Sequence, residues 1–218
     1  MIARRPRALR ALVPLAAAAA VACAPRARPL AGAAVPEVRL PTAQLAPGHQ
    51  RVRFRWRYEE EDGFRANGEG VARVAAPDSA RLDFFLDGGM GGGWTLLLGD
   101  HLTAPGGDLV RRLLPPPPLL WAALGRLAVP ASRDTTARAS GDTLRADIGG
   151  DPTWRVTFVK SRLVAVDRID GGRRLEWMQR DSSGGLVYRH ETGRRTLTLR
   201  DVRTEEVESF APDTWRRP

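Results

Sequence analysis

Residues that could do covalent or metal chemistry are sparse in this sequence. The three histidines, His49, His101 and His190, lie far apart, and none stands in a metal-ligand spacing such as His-x-x-x-His. No Gly-x-Ser-x-Gly nucleophile motif occurs. The glycine-rich stretch 88–93 lacks the lysine and the following helix of a phosphate-binding loop. We therefore expect a protein that is not an enzyme and holds neither a metal nor another cofactor.

Two acidic groups have the composition of a cation site or a carboxylate pair. Residues 59–62 are Glu-Glu-Glu-Asp, and Asp83 and Asp87 flank an apolar strand. The first group is typical of a solvated hairpin turn, and Asp83 fits the wet face of its strand. An enzyme on this scaffold would need a polar cluster inside the fold, which sequence alone does not reveal.

Cys23, the only cysteine, ends an N-terminal targeting signal. Four arginines precede an apolar run from Ala11 to Ala22, which is too short to cross a bilayer as a helix. Small residues before a lone cysteine resemble a bacterial lipobox, although Ala20 stands where that pattern usually has leucine. We predict cleavage before Cys23 and palmitate-type acylation of its thiol. The alternative is an ordinary cleaved signal in which Cys23 has no role.

Composition narrows the class of partner. The chain has 34 basic and 25 acidic residues, and Lys160 is the only lysine. The basic residues alternate with apolar ones along strands and form no block, so the pattern excludes a nucleic-acid partner and allows an anionic lipid surface. We divide the chain into a signal peptide (1–22), a lipid-anchored tether rich in proline and alanine (23–48), and one domain (49–218), expected to be a monomer.

Alternation of apolar and polar residues predicts a mainly β domain. Residues 51–58 place Val52, Phe54, Trp56 and Tyr58 on one face and four arginines on the other. Asp-Gly and Gly-Gly joints then punctuate a meander. We predict about eleven antiparallel strands, which twist should curl into a barrel or part of one. The main strands are expected at 51–58, 64–75, 81–87, 94–98, 134–139, 143–148, 154–159, 163–169, 174–179, 186–190 and 195–202, with a short additional strand at 101–104.

Two elements must work together with this sheet. Residues 108–114 and 119–127 have helical spacing and far more apolar than charged surface, so they should form a lid on the open face of the sheet. The loop 88–93 contains five glycines around Met90. Met90, with Gly89 and Gly91, either folds back on the sheet or protrudes as an apolar tip that touches a membrane or a cargo.

The order of these features resembles the LolA/LolB-like superfamily of periplasmic lipoprotein carriers and outer-membrane lipoprotein receptors. The resemblance rests on the signal with its cysteine, the strand 51–58, Gly68-x-Gly70, the strand-loop-strand 81–98 and the closing meander. It implies an unclosed half β-barrel whose helical lid covers an apolar cavity for acyl chains. Met90 matches the exposed apolar residue of the receptor loop. Ala24 after the cysteine, where aspartate would signal inner-membrane retention, implies the outer membrane, facing the periplasm.

The leading hypothesis is therefore an anchored lipoprotein that binds acyl chains or lipidated proteins, with a role in lipoprotein transport or insertion. The alternative is a structural or assembly lipoprotein whose β core is filled and which binds protein partners; an empty cavity of several hundred Å3 would favour the first. The candidate cavity and lid residues are Phe54, Trp56, Phe84, Leu86, Trp94, Leu96, Leu98, Trp154, Val156, Phe158, Trp177, Tyr188, Leu120, Trp121 and Leu124.

Overall fold

The computed structural model describes residues 24–89, 91–105 and 108–216. About half of the chain is strand, and all strands belong to one antiparallel sheet that does not close on itself. The strands are β1 (Ala33–Ala34), β2 (His49–Glu60), β3 (Arg65–Ala75), β4 (Ser79–Leu86), β5 (Gly92–Leu98), β6 (His101–Thr103), β7 (Thr135–Ser140), β8 (Thr143–Ile148), β9 (Thr153–Val159), β10 (Arg162–Asp170), β11 (Arg173–Arg180), β12 (Leu186–His190) and β13 (Arg195–Val207).

The helical elements are few and short. They are α1 (Asp108–Leu113), α2 (Pro117–Ala123) and a 3-10 turn (Pro212–Trp215). The predicted fold class, a mainly β half-barrel with a short helical lid, is confirmed. Two differences concern the strands: β1 forms in a segment where no strand is predicted, and β13 runs to Val207. A β-bulge between Arg200 and Arg203, with Asp201 at φ 53°, shifts the register of β13 against β2. The pairing continues beyond this bulge to Val207.

Strand order explains why the helices form a lid. The sheet runs β1-β7-β8-β9-β10-β11-β12-β13-β2-β3-β4-β5-β6. Pairing of β13 with β2 therefore joins the strands β7–β13 to the strands β2–β6. β6 is one edge strand, and β7 lies next to the other edge. The segment between them therefore has to cross from one side of the sheet to the other. α1 and α2 make this crossing over the concave face, where α2 contacts β10 and β11.

Helix α2 is bounded by proline and glycine. Pro117 and Pro118 occupy its first turn, where a missing N–H costs nothing. Gly125, at φ 95°, ends the helix: its N–H donates to Ala122 O, and the next N–H, from Arg126, donates to Trp121 O at 2.9 Å. The predicted helix 119–127 is therefore wrong at both ends, because the prolines start the helix earlier and Gly125 ends it earlier.

The segment before β2 packs along the domain. Leu45 is buried, and Val35, Val38 and Leu40 lie against the interior cluster. Its backbone reaches the β10–β11 turn, where Ala27 N donates to Gly172 O and Arg174 N donates to Pro25 O, both at 2.9 Å. The described part of the segment expected to be a tether thus follows the domain surface from Ala24 onward, although the domain boundaries themselves stay a prediction.

Candidate functional site

The concave face of the sheet is an apolar wall. Strand alternation turns Phe54, Trp56 and Tyr58 of β2 inward, and all three are buried. Phe84 of β4 meets Phe54 and Trp56 edge to face, with ring centroids 5.9 and 6.1 Å apart. Opposite them, Val156 and Phe158 of β9 belong to the same buried cluster. Burying this much apolar surface is the main source of stability in the domain.

Helix α2 lies inside this wall. Leu119, Leu120, Trp121 and Ala122 are all buried, so nearly the whole circumference of the helix is covered. Helix α1 adds the buried Val110 and Leu113 beside β5. A helix that is apolar all round fits only in a core, so α2 fills the space that the sheet encloses.

A small number of polar contacts fix the lid. Trp121 Nε1 donates to Gly99 O at 2.6 Å, and the Arg126 guanidinium lies 4.7 Å from the Trp121 ring. Arg180 Nη2, on the inner side of β11, donates to Ala123 O at 2.7 Å, and its Nη1 donates to Gly184 O at 3.3 Å. Burial lowers the pKa of Arg180 from its usual range, because desolvation disfavours the charged form.

The interior is closed in this structure. Cavities of about 30 and 80 Å3 lie beside α2, and both are lined by Phe54, Leu82 and Leu120. Pockets that hold a drug-sized ligand usually measure about 300–1,000 Å3. Among the residues that the structure describes, the side chains of the lid therefore occupy the space where the sequence predicts an open hollow.

Eleven of the fifteen cavity and lid residues proposed from the sequence do face the interior. Phe54, Trp56, Phe84, Trp154, Phe158, Leu120 and Trp121 are buried in the interior cluster, and Leu86 and Leu124 pack against it. Val156 and Tyr188 join the same cluster.

Trp94, Leu96 and Trp177 do not face the interior, which corrects their assignment. Register places Thr95 opposite Leu82 and Leu97 opposite Ala80, so the alternate residues of β5 point outward. Trp94 stacks under Arg81 there, and Leu98 is 39% exposed. The apolar run of β5 has no alternation, so its inner face could not be read from the sequence.

Trp177 was misassigned for a different reason. It lies on the outer face, where its Nε1 donates to Glu191 at 2.8 Å and the Arg174 guanidinium lies 4.9 Å from its ring. The neighbour Glu176 faces the interior instead and is buried. A charged residue was expected outside, but Glu176 accepts hydrogen bonds from Tyr188 OH at 2.8 Å and from Arg168 at 2.9 Å, which offset its desolvation.

Glu176 belongs to a set of polar residues that the sequence did not reveal, here called the polar row. Arg168 of β10, Glu176 of β11, His190 of β12, Arg195 of β13 and Glu60 of β2 are directly opposite one another from strand to strand. All five are on the inner face, at the end of the wall. Only the register aligns them, because they come from five different strands.

The polar row lies at the end of the half-barrel that carries the glycine loop. The turns 61–64, 87–91, 149–152, 171–172 and 191–194 join strands at this end, here called the glycine-loop rim. Gly89 and Gly91 have φ 71° and 98°, and Leu86 N donates to Gly91 O at 3.1 Å. Met90 lies outside the described residues, whereas Phe85 beside the loop is 53% exposed.

The N-terminal segment reaches the same rim. Arg173 Nη1, at the β10–β11 turn, donates to Ala24 O at 2.9 Å, and Ala24 is buried. Cys23 lies outside the described residues. No three His, Cys, Asp or Glu side chains gather to hold a metal ion in the described ranges. Among the same residues, no helix has the length and hydropathy needed to cross a membrane.

Comparison with known proteins finds similarity in structure only. No protein-family profile matches the chain, and a search of curated proteins finds no significant sequence match. Among solved structures, a LolA superfamily protein from Nitrosomonas europaea is 10% identical, with a TM-score of 0.54 over 80% of this chain and 93% of that one.

Two further solved structures match with lower TM-scores. A candidate outer membrane lipoprotein-sorting protein domain from Vibrio parahaemolyticus is 9% identical, with a TM-score of 0.45 over 77% of this chain and 89% of that one. A DUF1329 family protein from Desulfovibrio piger is 7% identical, with a TM-score of 0.42 over 80% and 90%. The LolA superfamily protein, with its TM-score of 0.54, is the match that confirms at the level of architecture the resemblance seen in the sequence: the chain has a LolA/LolB-like fold.

Proposed function

We propose that this protein is an outer-membrane-anchored periplasmic lipoprotein that binds acyl chains or lipidated proteins inside its half-barrel. The observation that carries the proposal is that the concave wall and the helix filling it are both apolar, while a few polar contacts hold the helix in place. An acyl chain could replace the helix and gain about 0.8 kcal/mol for each methylene buried. Binding would then require α2 to leave the wall.

The way in which α2 is joined to the sheet supports this displacement. Pro115 and Pro116 precede it, Pro117 and Pro118 form its first turn, and Gly125 ends it, so the helix is a short unit between two breaks in regular structure. The helix contacts the sheet through apolar side chains on both surfaces. An acyl chain could make the same kind of apolar contact with the sheet. The polar contacts to Gly99 and Arg180 are the ones that opening must break.

A photoreactive palmitate analogue tests the proposal. The mature protein is purified from membranes, irradiated with the probe and mapped by peptide mass spectrometry, while bound lipids are extracted in parallel. We expect label on inner-face peptides, such as those containing Phe54 and Leu120, and little on Trp94 or Trp177, which face outward. Labelling that is equal on both faces, or absent, would exclude acyl-chain binding inside the wall.

A structural or assembly lipoprotein with a filled core is the second candidate. The small volume of the interior cavities favours it, because a filled interior needs no ligand. This candidate predicts that no lipid is recovered and that α2 shows the same slow amide exchange as the strands around it.

The proposed anchor is acylation of Cys23. Ala24 is buried against the glycine-loop rim, so an acyl group on the preceding residue would hold that rim against the membrane. Cys23→Ala should abolish incorporation of labelled palmitate and release the protein from the membrane fraction. Membrane attachment that survives this change would exclude the thiol as the anchor.

The glycine loop is proposed to touch the membrane or the cargo through Met90. Cβ atoms added at Gly88 or Gly89 would meet no atom within 4 Å, so this part of the loop stands clear of the sheet. Met90→Glu should slow delivery of a lipidated cargo to vesicles. Leu98→Glu, at an exposed apolar residue near the opposite end of the barrel, is the control. Equal delivery by the Met90 variant and the wild type would remove Met90 from the mechanism.

A further inference from the structure

The polar row adjoins a pocket that is separate from the apolar interior. The pocket measures about 460 Å3 and opens at the glycine-loop rim. Glu176, Tyr188, His190 and Arg195 form its sheet side, and Arg111 of α1 lies across from them. It therefore combines a polar floor with a cationic helix side chain.

The carboxylates of the polar row are already occupied by partners. Glu176 accepts from Tyr188 and Arg168, and Glu60 accepts a short hydrogen bond from Tyr58 OH and has Arg112 at 3.9 Å. Burial, followed by the neighbouring carboxylate, raises the pKa of both tyrosines, so both hydroxyls keep the protons that they donate. Because both carboxylates have hydrogen-bond donors and arginines beside them, their electrostatic repulsion of an incoming anion is reduced.

Among the described residues of the polar row, Arg195 is the cation without a carboxylate partner. Its guanidinium lies near the hydroxyls of Tyr58 and Tyr188, but its Nε is buried without a hydrogen-bond acceptor. Among the described residues, no carboxylate oxygen lies within ion-pair distance of it. A buried donor without an acceptor is costly, so this nitrogen would gain from an oxyanion bound in the pocket.

His190 adds a neutral donor. Its Nδ1 accepts a hydrogen bond from Gly193 N at 2.7 Å, which assigns the ring proton to Nε2. Burial lowers the pKa of His190, so the ring is neutral at pH 7. The pocket therefore offers donors from Arg195, Arg111 and His190.

The pocket shares part of its lining with the apolar interior. Leu114, Pro115 and Tyr188 line both the 460 Å3 pocket and the 30 Å3 cavity beside α2. A molecule with a charged head and an apolar tail could place the head at the polar row and pass the tail between these three residues. Its tail would then follow the wall that α2 covers.

We infer that this pocket binds the oxyanion headgroup, carboxylate or phosphate, of an amphiphile whose acyl chain enters the interior. The inference rests on the proposed function and adds the chemical class of the ligand and the residues that select it. Arg195 makes the main contact, and Arg111 completes the cationic side. Selection arises because an oxyanion pairs with the positive charge of Arg195 and Arg111 as well as accepting hydrogen bonds, whereas a neutral headgroup brings no charge and a cationic one is repelled.

Calorimetry with the mature full-length protein tests the inference, using dodecanoate, dodecyl phosphate, dodecyl maltoside and dodecyltrimethylammonium below their micelle concentrations, and inorganic phosphate. We expect both anionic amphiphiles to bind at least about tenfold tighter than the neutral and cationic ones. Arg195→Gln should remove this preference and leave dodecyl maltoside unchanged. Arg203→Gln, at an exposed residue of the same strand, should change nothing.

The outcomes separate this inference from the proposed function. Equal binding of all four amphiphiles, unaffected by Arg195→Gln, would overturn the headgroup site and leave acyl-chain binding standing. Inorganic phosphate binding as tightly as dodecyl phosphate would show a site for a free anion, which also overturns the inference. Binding of no amphiphile would remove both. If Arg195→Gln fails to fold, Arg111→Gln on the exposed side of α1 should weaken the anionic amphiphiles selectively, and an unchanged preference would overturn the inference.

Discussion

Arg180 donates a hydrogen bond from Nη2 to the carbonyl oxygen of Ala123, the last residue of helix α2, at 2.7 Å. One inward-facing cation of the sheet thus holds the carboxyl end of the lid, which agrees with the dipole of a helix. Because the same guanidinium also reaches Gly184 O, it joins the lid to the β11–β12 turn. Release of α2 must break this contact.

Replacing Arg180 should loosen the lid. Arg180→Met keeps an unbranched apolar stem but removes the guanidinium, so the carbonyls of Ala123 and Gly184 lose their donor, which should cost about 1–3 kcal/mol of unfolding free energy. Hydrogen exchange should accelerate in residues 119–124, and uptake of an acyl probe should become faster. Arg203→Met, at an exposed position, is the control. Unchanged exchange in α2 would show that the contact does not restrain it.

Trp121 should restrain the other side of the lid. Trp121→Phe keeps an aromatic ring but removes the hydrogen bond to Gly99 O and weakens the stacking of Arg126. We expect a loss of about 1–2 kcal/mol and increased binding of a dye that reports exposed apolar surface. Trp94→Phe is the matched control, since Trp94 also stacks with an arginine but on the outer face. Equal effects of the two changes would contradict a specific role of Trp121.

Gly93 sets how closely α1 approaches β5. A Cβ at this position would lie 2.1 Å from Val110 Cγ2, so Gly93→Ala should push α1 outward and cost about 1–3 kcal/mol. Adding Val110→Ala should recover part of the loss, because it removes the clashing methyl group. Gly150→Ala, where a Cβ meets nothing within 4 Å, should be neutral. Thermal denaturation of the four proteins measures these differences, and a double variant no better than Gly93→Ala would refute the contact.

Asp167 should make stability depend on pH. It lies on the outer face of β10 near Asp147, Arg155 and Arg174, and burial raises its pKa to about 6 from 3.8. The folded state therefore binds an extra proton between about pH 4 and 6, and stability falls as pH rises through that window. Asp167→Asn should stabilise the protein by about 1–3 kcal/mol above pH 6 and have little effect below pH 4.

Urea denaturation at several pH values measures the effect of Asp167→Asn. A profile for Asp167→Asn that runs parallel to the wild type from pH 4 to 7 would contradict the raised pKa.

How far the sequence determined the site varies from strand to strand. The regular alternation of 51–58 fixed the inner face of β2, so Phe54 and Trp56 were assigned correctly. β5 has consecutive leucines and no alternation, and only pairing with β4 shows that Trp94 and Leu96 point outward. In β11, preference for an apolar interior favoured Trp177 over Glu176. The partners that let Glu176 be buried come from β10 and β12, so no local pattern indicates them.

The edge strands of the sheet determine whether copies of the protein can associate by strand pairing. A sheet that stays open leaves a strip of backbone at each side, and such strips can recruit further strands from other copies. Here the outermost strands, β1 and β6, have two and three residues, while the strands buried in the middle of the sheet run to twelve and thirteen. Each edge strand is thus too short to pair stably with a strand of another copy. The sheet can therefore stay open without assembling into filaments.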